Sequence, residues 1–364
     1  MNDLQKYPCM LFRGGTSKGA YFLESDLPRD FDARRRLLLR IMGSPHPRQI
    51  DGIGGGAFVT SKVALVSRSA RPGIDVDYKF IQVMVDAPVI DDQPTCGNLL
   101  SAVGVFALER GLVSASDRRD GETQVRVHDI NTGATVLQTI RAPGGKVHYQ
   151  GDARIAGVPG TASPIDLHFQ HIAGGKTGHH LPTGNTRDTF DGVAATCLDI
   201  SMPTVFVRAG DLGKTGHESA AELEADQTLM ARIRGIREQA SAAMGLGDAR
   251  DSVIPKFALI SAPQNQRADI NIRYFTPATC HPAVALSAGF CLAAGCFIDG
   301  ALMHDIAGRA LDGDDNGDGD TVVHIENPSG VTPVSIRMPQ GDVARVSGKA
   351  RRTARLLFAG DVYA

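Results

Sequence analysis

Two stretches of this chain match each other across half its length. TCGNLLSAVGVFALERG starts at Thr95 and TCHPAVALSAGFCLAAG at Thr279, an offset of 279 − 95 = 184. At that offset Thr95, Cys96, Phe106, Leu108 and Gly111 meet Thr279, Cys280, Phe290, Leu292 and Gly295. Each stretch is Thr-Cys, then mostly apolar residues, then Gly. A helix apolar almost all round must be buried on every side, and Gly at its end is a common stop. The offset recurs in GAYFLESDL and PTVFVRAGDL, where Phe22 meets Phe206 at 184 and Asp26-Leu27 meets Asp211-Leu212 at 185. The 364 residues are therefore expected to form two similarly built halves. The boundary is expected in GHHLPTGNTRD, a segment of loop composition. That gives 1–185, with Lys62 and Cys96, and 186–364, with Cys280.

The segments between these landmarks read mostly as strands, at 62–66, 76–86, 124–127, 205–208, 257–261, 270–275, 321–325 and 334–337. Several alternate apolar and polar residues, as half-buried antiparallel strands do. Residues 218–244 are expected to be a surface helix, with Leu223, Leu229, Met230, Ile233 and Ile236 spaced for one face. The fold class is α+β: each half a curved antiparallel sheet around one buried helix, with a cleft between the halves.

Composition narrows the function. Lys+Arg 38 against Asp+Glu 40 argues against a surface that tracks nucleic-acid phosphates. The longest nearly apolar run, 283–298, is short for a membrane span. No secretory signal is visible at the start, and six scattered cysteines then read as reduced thiols in a cytoplasm. Glycine is in excess, 41 of 364 where about 7% is usual, which implies many tight turns and close backbone approaches.

Four clusters could carry chemistry. Cys96 and Cys280 are each expected at a helix N-terminus, where free N–H groups and the helix dipole favour a thiolate or a bound carboxylate. At Cys96-Gly97-Asn98 the glycine allows close approach. At Cys280-His281-Pro282 the proline removes one donor. The segment Arg13 to Gly19, RGGTSKG, lacks phosphate-loop spacing and reads better as an anion-binding turn with Ser17 and Lys18. Lys62 follows a Gly-rich segment, 49–56, and enters the apolar strand VALV, where desolvation would favour a neutral amine usable as a base. The run DGDDNGDGD at 312–320 imitates a calcium loop but has Val323 where a bidentate Glu is required, so it reads as a solvated acidic hairpin. No histidine spacing suggests a metal, and none is expected.

RGGTSKGAYF, MGSPHPRQIDGIGG, TSKVALV, VDYKFIQVMVD, CGNLLSAVGVFALERGLV, LPTGNTRD, ENPSG and TARLLFAG occur in this order. The set resembles the 2-methylaconitate cis–trans isomerase / 4-oxalomesaconate tautomerase family (PrpF/GalD-like), from about Pro8 to Gly360. The resemblance implies a diaminopimelate epimerase-like fold of two pseudo-symmetric, β-barrel-like halves, each around a central helix. It also implies a cofactor-free isomerase that shifts an allylic proton in an unsaturated di- or tricarboxylate. It assigns proton transfer to Lys62, an acid/base or carboxylate-anchoring role at the active site to Cys96, and carboxylate binding to Ser17, Lys18, Ser61, Gly97 and Asn98. From the second half it brings Arg273, Cys280, His281, Ser329 and Gly330 to substrate binding. Thr95 stands where the family often has Asn, and Asp199-Ile-Ser-Met-Pro203 departs from an Asp-Asn turn. These departures bear on the substrate more than on the reaction.

Within the family, chain length and the uninterrupted MGSPHPRQIDG favour 4-oxalomesaconate keto–enol tautomerisation in aromatic catabolism over 2-methylaconitate isomerisation in propionate metabolism. Two readings of other kinds stay open: a non-catalytic carboxylate-binding accessory protein, and an amino-acid racemase with Cys96 and Cys280 as opposed bases. The expected partner is a small carboxylate, with no nucleic acid and no membrane. A homodimer stays open as the assembly.

Overall fold

The computed structural model describes residues 4–114, 121–155, 157–250, 252–276, 279–307 and 319–364. Backbone contacts divide the chain into two compact units. One is 1–168 with 351–364, and the other is 169–350. The chain thus crosses from unit to unit twice, instead of once near 185.

The first unit contains β1 (Lys6–Gly14), β2 (Ser17–Leu23), α1 (Phe31–Met42), β3 (Lys62–Arg68), β4 (Val76–Val83), β5 (Ile90–Asp91), α2 (Gly97–Leu100), α3 (Val103–Glu109), β6 (Glu122–Asp129) and β7 (Thr135–Arg141). β8 (Ile165–Gln170) leads out of it. β1 and β2 are antiparallel, β2 and β3 parallel, and β3 and β4 antiparallel. β4 then pairs antiparallel with β5 and parallel with β6, and β6 antiparallel with β7.

Alternation along these strands gives the sheet two apolar faces. Cys9, Ala20, Phe22, Val63, Leu65, Ile81 and Val83 pack with Leu38, Leu39, Ile41 and Met42 of α1. Phe12 and Tyr21 lie on the opposite face, where the Tyr21 ring meets Phe106 of α3 at 5.8 Å. The sequence reading had missed α1. Its signals were the Asp30 cap, which accepts the Ala33 N–H, and Gly43, which ends the helix at φ 77°.

The second unit contains β9 (Asp188–Phe190), β10 (Val193–Ile200), β11 (Met202–Arg208), α4 (Ala220–Ala225), α5 (Gln227–Ala243), β12 (Lys256–Ser261), β13 (Ile270–Thr276), β14 (Thr279–Cys280), α6 (Leu286–Gly295), α7 (Leu302–Ala307), β15 (Thr321–Asn327) and β16 (Gly330–Arg337). β17 (Ser347–Arg352) leads back, and β18 (Ala354–Tyr363) lies along β1 in the first unit. Here β9 pairs with β10 as β18 does with β1, both antiparallel. β10–β11 is antiparallel, β11–β12 parallel, β12–β13 and β13–β14 antiparallel, β13–β15 parallel and β15–β16 antiparallel. The same order of pairings therefore runs through each unit. The acidic run lies outside the described residues up to 318; beyond it, buried Asp320 forms an ion pair with Lys349.

The two helices expected after Thr-Cys form differently. In the first unit the helix breaks between α2 and α3. The buried Gln138 side chain enters the break, donating to Leu100 O at 2.7 Å and accepting the Gly104 N–H at 2.9 Å. In the second unit no helical turn follows Cys280, because 281–285 is irregular and α6 starts at Leu286. Cys280 instead belongs to β14, and the His281 N–H extends that pairing to Tyr274 O at 2.7 Å. The expectation of a helix N-terminus at Cys280 is therefore corrected.

Gly111 does end its helix, at φ 66°. Gly295 does not: it is the last helical residue, and a Cβ there would lie 2.8 Å from Leu198 Cδ1 and 3.0 Å from Met303. It is small because α6 packs closely.

Residues 218–244 are two helices joined at Asp226, which caps α5 through the Leu229 N–H at 2.9 Å. One face of α5 is buried, and it carries Arg237. The Arg237 guanidinium donates to the carbonyls of Pro255 at 2.7 Å, Ala249 at 3.0 Å and Ser252. One side chain thus satisfies three carbonyls of the segment after α5. Arg237→Met is expected to destabilise the protein by about 3 kcal/mol, because those carbonyls lose their donor. A drop of under 0.5 kcal/mol in urea unfolding would show that the loop finds other partners.

Candidate active site

In the first unit, register places four residues on one face of the sheet. Gly19 of β2 lies beside Lys62 of β3, which lies opposite Gln82 of β4, and Ser17 is two residues before Gly19. α2 and α3 cover this face. Its glycines let them come close: a Cβ on Gly19 would meet Leu99 Cδ2 at 2.7 Å, and one on Gly14 would meet Asn98 O at 2.5 Å. Tyr21 donates to Leu99 O at 2.5 Å and Tyr78 to Cys96 O at 3.2 Å. Burial, followed by the neighbouring Cys96, raises both phenols well above their ordinary range, so they remain donors.

These contacts set Cys96, the N-cap of α2, against Lys62. Lys62 Nζ lies 3.4 Å from Cys96 Sγ, and the residues are 6% and 7% exposed. The ammonium position also lies 5.2 Å from the Phe58 ring centroid and 5.4 Å from that of Phe80. Both distances suit cation–π attraction. Phe80 is a buried inner wall and Phe58, 61% exposed, an outer one. A lysine and a thiol in contact, on the edge of a buried layer, can pass a proton between them and to a molecule bound beside them.

The carboxylate-binding residues expected around this pair are placed as follows. Ser17 is buried, and its Oγ has no hydrogen-bond partner among the described residues. Gly97 opens α2 directly after Cys96. Asn98 Oδ1 accepts the Thr16 N–H at 3.2 Å, and Gly15, at φ 52°, leaves room for that amide. Ser61 Oγ accepts from Gln49 Nε2 at 2.7 Å, and Ser61 O accepts from Gln82 Nε2 at 2.8 Å. Lys18 lies opposite Arg13 of β1 in register, and its Nζ reaches the Gly-rich segment before Ser61, 3.2 Å from where a Cβ on Gly55 would lie.

Gln49 and Gln82 were missed in the sequence. Gln49 is 1% exposed, adopts φ 46°, donates to Ser44 and Ser61 and accepts the Gly56 N–H at 2.9 Å. A Cβ on Gly54 would sit 2.2 Å from its amide. Gly14, Gly15 and Gly54 therefore make room for the protein's own side chains and backbone. The available signal for Gln82 was a lone polar residue inside FIQVMV.

In the second unit, Arg273 is 6% exposed and donates to Glu218 O at 2.8 Å, Asn271 Oδ1 at 2.9 Å and Ile272 O at 3.0 Å. Burial lowers its pKa, against the opposing charges of Cys280, Glu326 and Glu218. The Cys280 N–H donates to Glu224 Oε1 of α4 at 2.7 Å. Burial pushes the Cys280 thiol up to about 11, partly offset by Arg273. His281 Nδ1 lies 3.0 Å from the Ala283 N. Ser329 donates to Pro282 O at 2.5 Å, and Gly330 follows it at φ 118° with nothing near its absent Cβ. Ser329 and Gly330 are thus brought to the His281 turn, and Arg273 to Cys280.

Among the described residues no three His, Cys, Asp or Glu side chains are grouped to hold a metal ion, and no helix is long and apolar enough to cross a membrane. A cavity of about 400 Å³ in the first unit lies on the α1 face, lined by Leu11, Ile41, Ile53, Phe358 and Val362 together with Arg40, Asp51 and Asp361. Two carboxylates beside one arginine suit an anionic substrate poorly, and Lys62 and Cys96 lie on the other face of the sheet.

A family model described as PrpF protein matches residues 4–364. The chain is 45% identical to the 4-oxalomesaconate tautomerase of Pseudomonas putida, over 98% of this chain and 96% of that one. The crystal structure of a methylitaconate-delta-isomerase superposes with a TM-score of 0.84 at 31% identity, covering 100% of this chain and 96% of the other. A hydroxyproline epimerase from Agrobacterium vitis shares the fold at a TM-score of 0.51 and 11% identity, over 98% and 92% of the two chains.

Proposed function

This chain belongs to the PrpF family and is an isomerase, and from that premise we propose that it moves a proton along an unsaturated polycarboxylate at the Lys62–Cys96 pair. The observation that carries the proposal is the buried 3.4 Å contact between Nζ and Sγ. The reaction needs a base to take a proton from a carbon beside an electron-withdrawing group. The electron pair then spreads through the conjugated system as a dienolate, and a proton returns at its other end. Lys62 takes the first proton as the amine partner of the Cys96 thiol. Cys96 returns a proton at the far carbon, and the Lys62 ammonium then passes its proton across the 3.4 Å contact to the Cys96 thiolate, which restores the pair. Ser17 Oγ and the first-turn N–H groups of α2 are donors suited to the spreading negative charge.

4-Oxalomesaconate is the favoured substrate, because the relative of that name is 45% identical while the methylitaconate isomerase is 31% identical. 2-Methylaconitate is the alternative. A mere carboxylate-binding protein has no need of a lysine in contact with a thiol. A two-thiol racemase would need Cys280 to alternate between acid and base, and burial, which pushes its thiol up to about 11, disfavours the thiolate half of that cycle. We also read the two units as duplicated halves of a diaminopimelate epimerase-like fold, since their strand pairings repeat in order.

Steady-state assays with both acids test the substrate. The favoured reading expects kcat/KM for 4-oxalomesaconate to exceed that for 2-methylaconitate by at least about 100-fold, as a few misplaced polar contacts would give. A preference for 2-methylaconitate would reverse the assignment.

A further inference from the structure

We propose that Thr95 and Asp129 form a clamp that positions the Lys62–Cys96 pair, a proposal that rests on that pair doing the chemistry. Asp129, at the end of β6, is 3% exposed. Its Oδ2 accepts the Thr95 hydroxyl at 2.5 Å, and its Oδ1 accepts the Asn131 N–H at 3.0 Å. Thr95 is the residue before Cys96. Asn131 holds the other side of the pair. Its Oδ1 accepts the Phe80 N–H at 2.8 Å, and its Nδ2 donates to Phe80 O at 3.1 Å and Asp92 O at 2.7 Å. The Phe80 ring in turn lies 5.4 Å from Lys62 Nζ. Asp129 also lies in register with Tyr78, whose hydroxyl holds Cys96 O. One buried carboxylate therefore reaches the thiol loop directly and the lysine wall through Asn131.

A local explanation covers only part of this arrangement. An Asp closing the β6–β7 turn would account for the bonds to Asn131 and its neighbours. It would not need a hydroxyl 34 positions away in sequence. Burial raises the Asp129 pKa, with the bonds from Thr95, Thr132 and Asn131 opposing it. Keeping a carboxylate there is costly, and the cost makes sense where both oxygens are needed as acceptors.

Thr95→Val keeps the shape and removes the donor, and Thr95→Ser keeps the donor. Thr95→Val is expected to lower kcat roughly tenfold with KM within about twofold, because a mis-set pair loses rate and not binding. Thr95→Ser is expected to stay within about twofold of the parent in both. Asp129→Asn is expected to match Thr95→Val, and the double variant to be no slower than either alone, about a tenfold loss in total. Unchanged kcat in Thr95→Val, a loss confined to KM, or multiplied losses in the double variant would overturn the clamp.

Lys62→Ala in the same assay separates the two proposals. If it turns over normally, the pair is not catalytic, and the clamp is read from labelling of Cys96 by iodoacetamide instead. There Thr95→Val is expected to be labelled at least about fivefold faster than the parent and Thr95→Ser at the parent rate, since labelling a buried thiol follows local opening. Equal rates in Thr95→Val and the parent would overturn the clamp on that route too.

Discussion

Replacing Lys62 by alanine is expected to cut kcat by about 10³-fold while leaving the protein folded, in the range that removal of a positioned acid–base group produces. Lys62 is buried between Phe58, Phe80 and Cys96, so its removal also leaves a gap. Lys62→Met fills most of that gap without an amine. The expectation is that both variants lose turnover alike, with thermal midpoints within a few degrees of the parent. Recovery of activity in Lys62→Met would mean that the side chain acts by packing.

Cys96→Ala is expected to lower kcat by about 10²-fold, and Cys280→Ala by less than about fivefold. The two cysteines look equivalent in the sequence repeat, and the structure separates them. Cys96 opens a helical turn and touches an amine. Cys280 sits in a short strand, its N–H is taken by Glu224, and burial keeps its thiol near 11. Equal losses in the two variants would restore the symmetric reading and with it a two-thiol mechanism.

The sequence pointed to the candidate proton-transfer pair more readily than to the side chains that hold it. Lys62, Cys96, Ser17, Gly97 and Asn98 were visible because each carries a reactive or permissive group in a recognisable motif. Lys18 was visible for the same reason, but only the structure shows its Nζ beside Gly55. Gln49, Gln82 and Asp129 were not legible as site residues. Their importance comes from burial, and a Gln or Asp in a sequence does not announce that it is buried. Gln138 is similar: nothing in TVLQTIR says that its amide occupies a helix break.

The repeat at offset 184 showed where the equivalent helices lie. Gly104 and Gly289, 185 apart, each face strands of their own unit, with a Cβ 3.3 Å from Val125 in one and 3.1 Å from Val334 in the other. The repeat could not show that hydrogen bonding holds the second Thr-Cys in a strand. Helix propensity and β pairing compete over 281–285, and the tertiary partner decides. α1 was missed because RRRLLLRIM presents a charge run beside an apolar run, which blurs its period on paper.

Solvent hydrogen exchange tests the central claim most directly. The protein is incubated in deuterated water with 4-oxalomesaconate, and separately with 2-methylaconitate, and deuterium at the substrate carbons is followed by NMR. Proton transfer at Lys62 and Cys96 predicts rapid wash-in by the parent with at least one of these acids and exchange at the uncatalysed rate in Lys62→Ala. Absence of wash-in with either acid, or undiminished wash-in by Lys62→Ala, would contradict it.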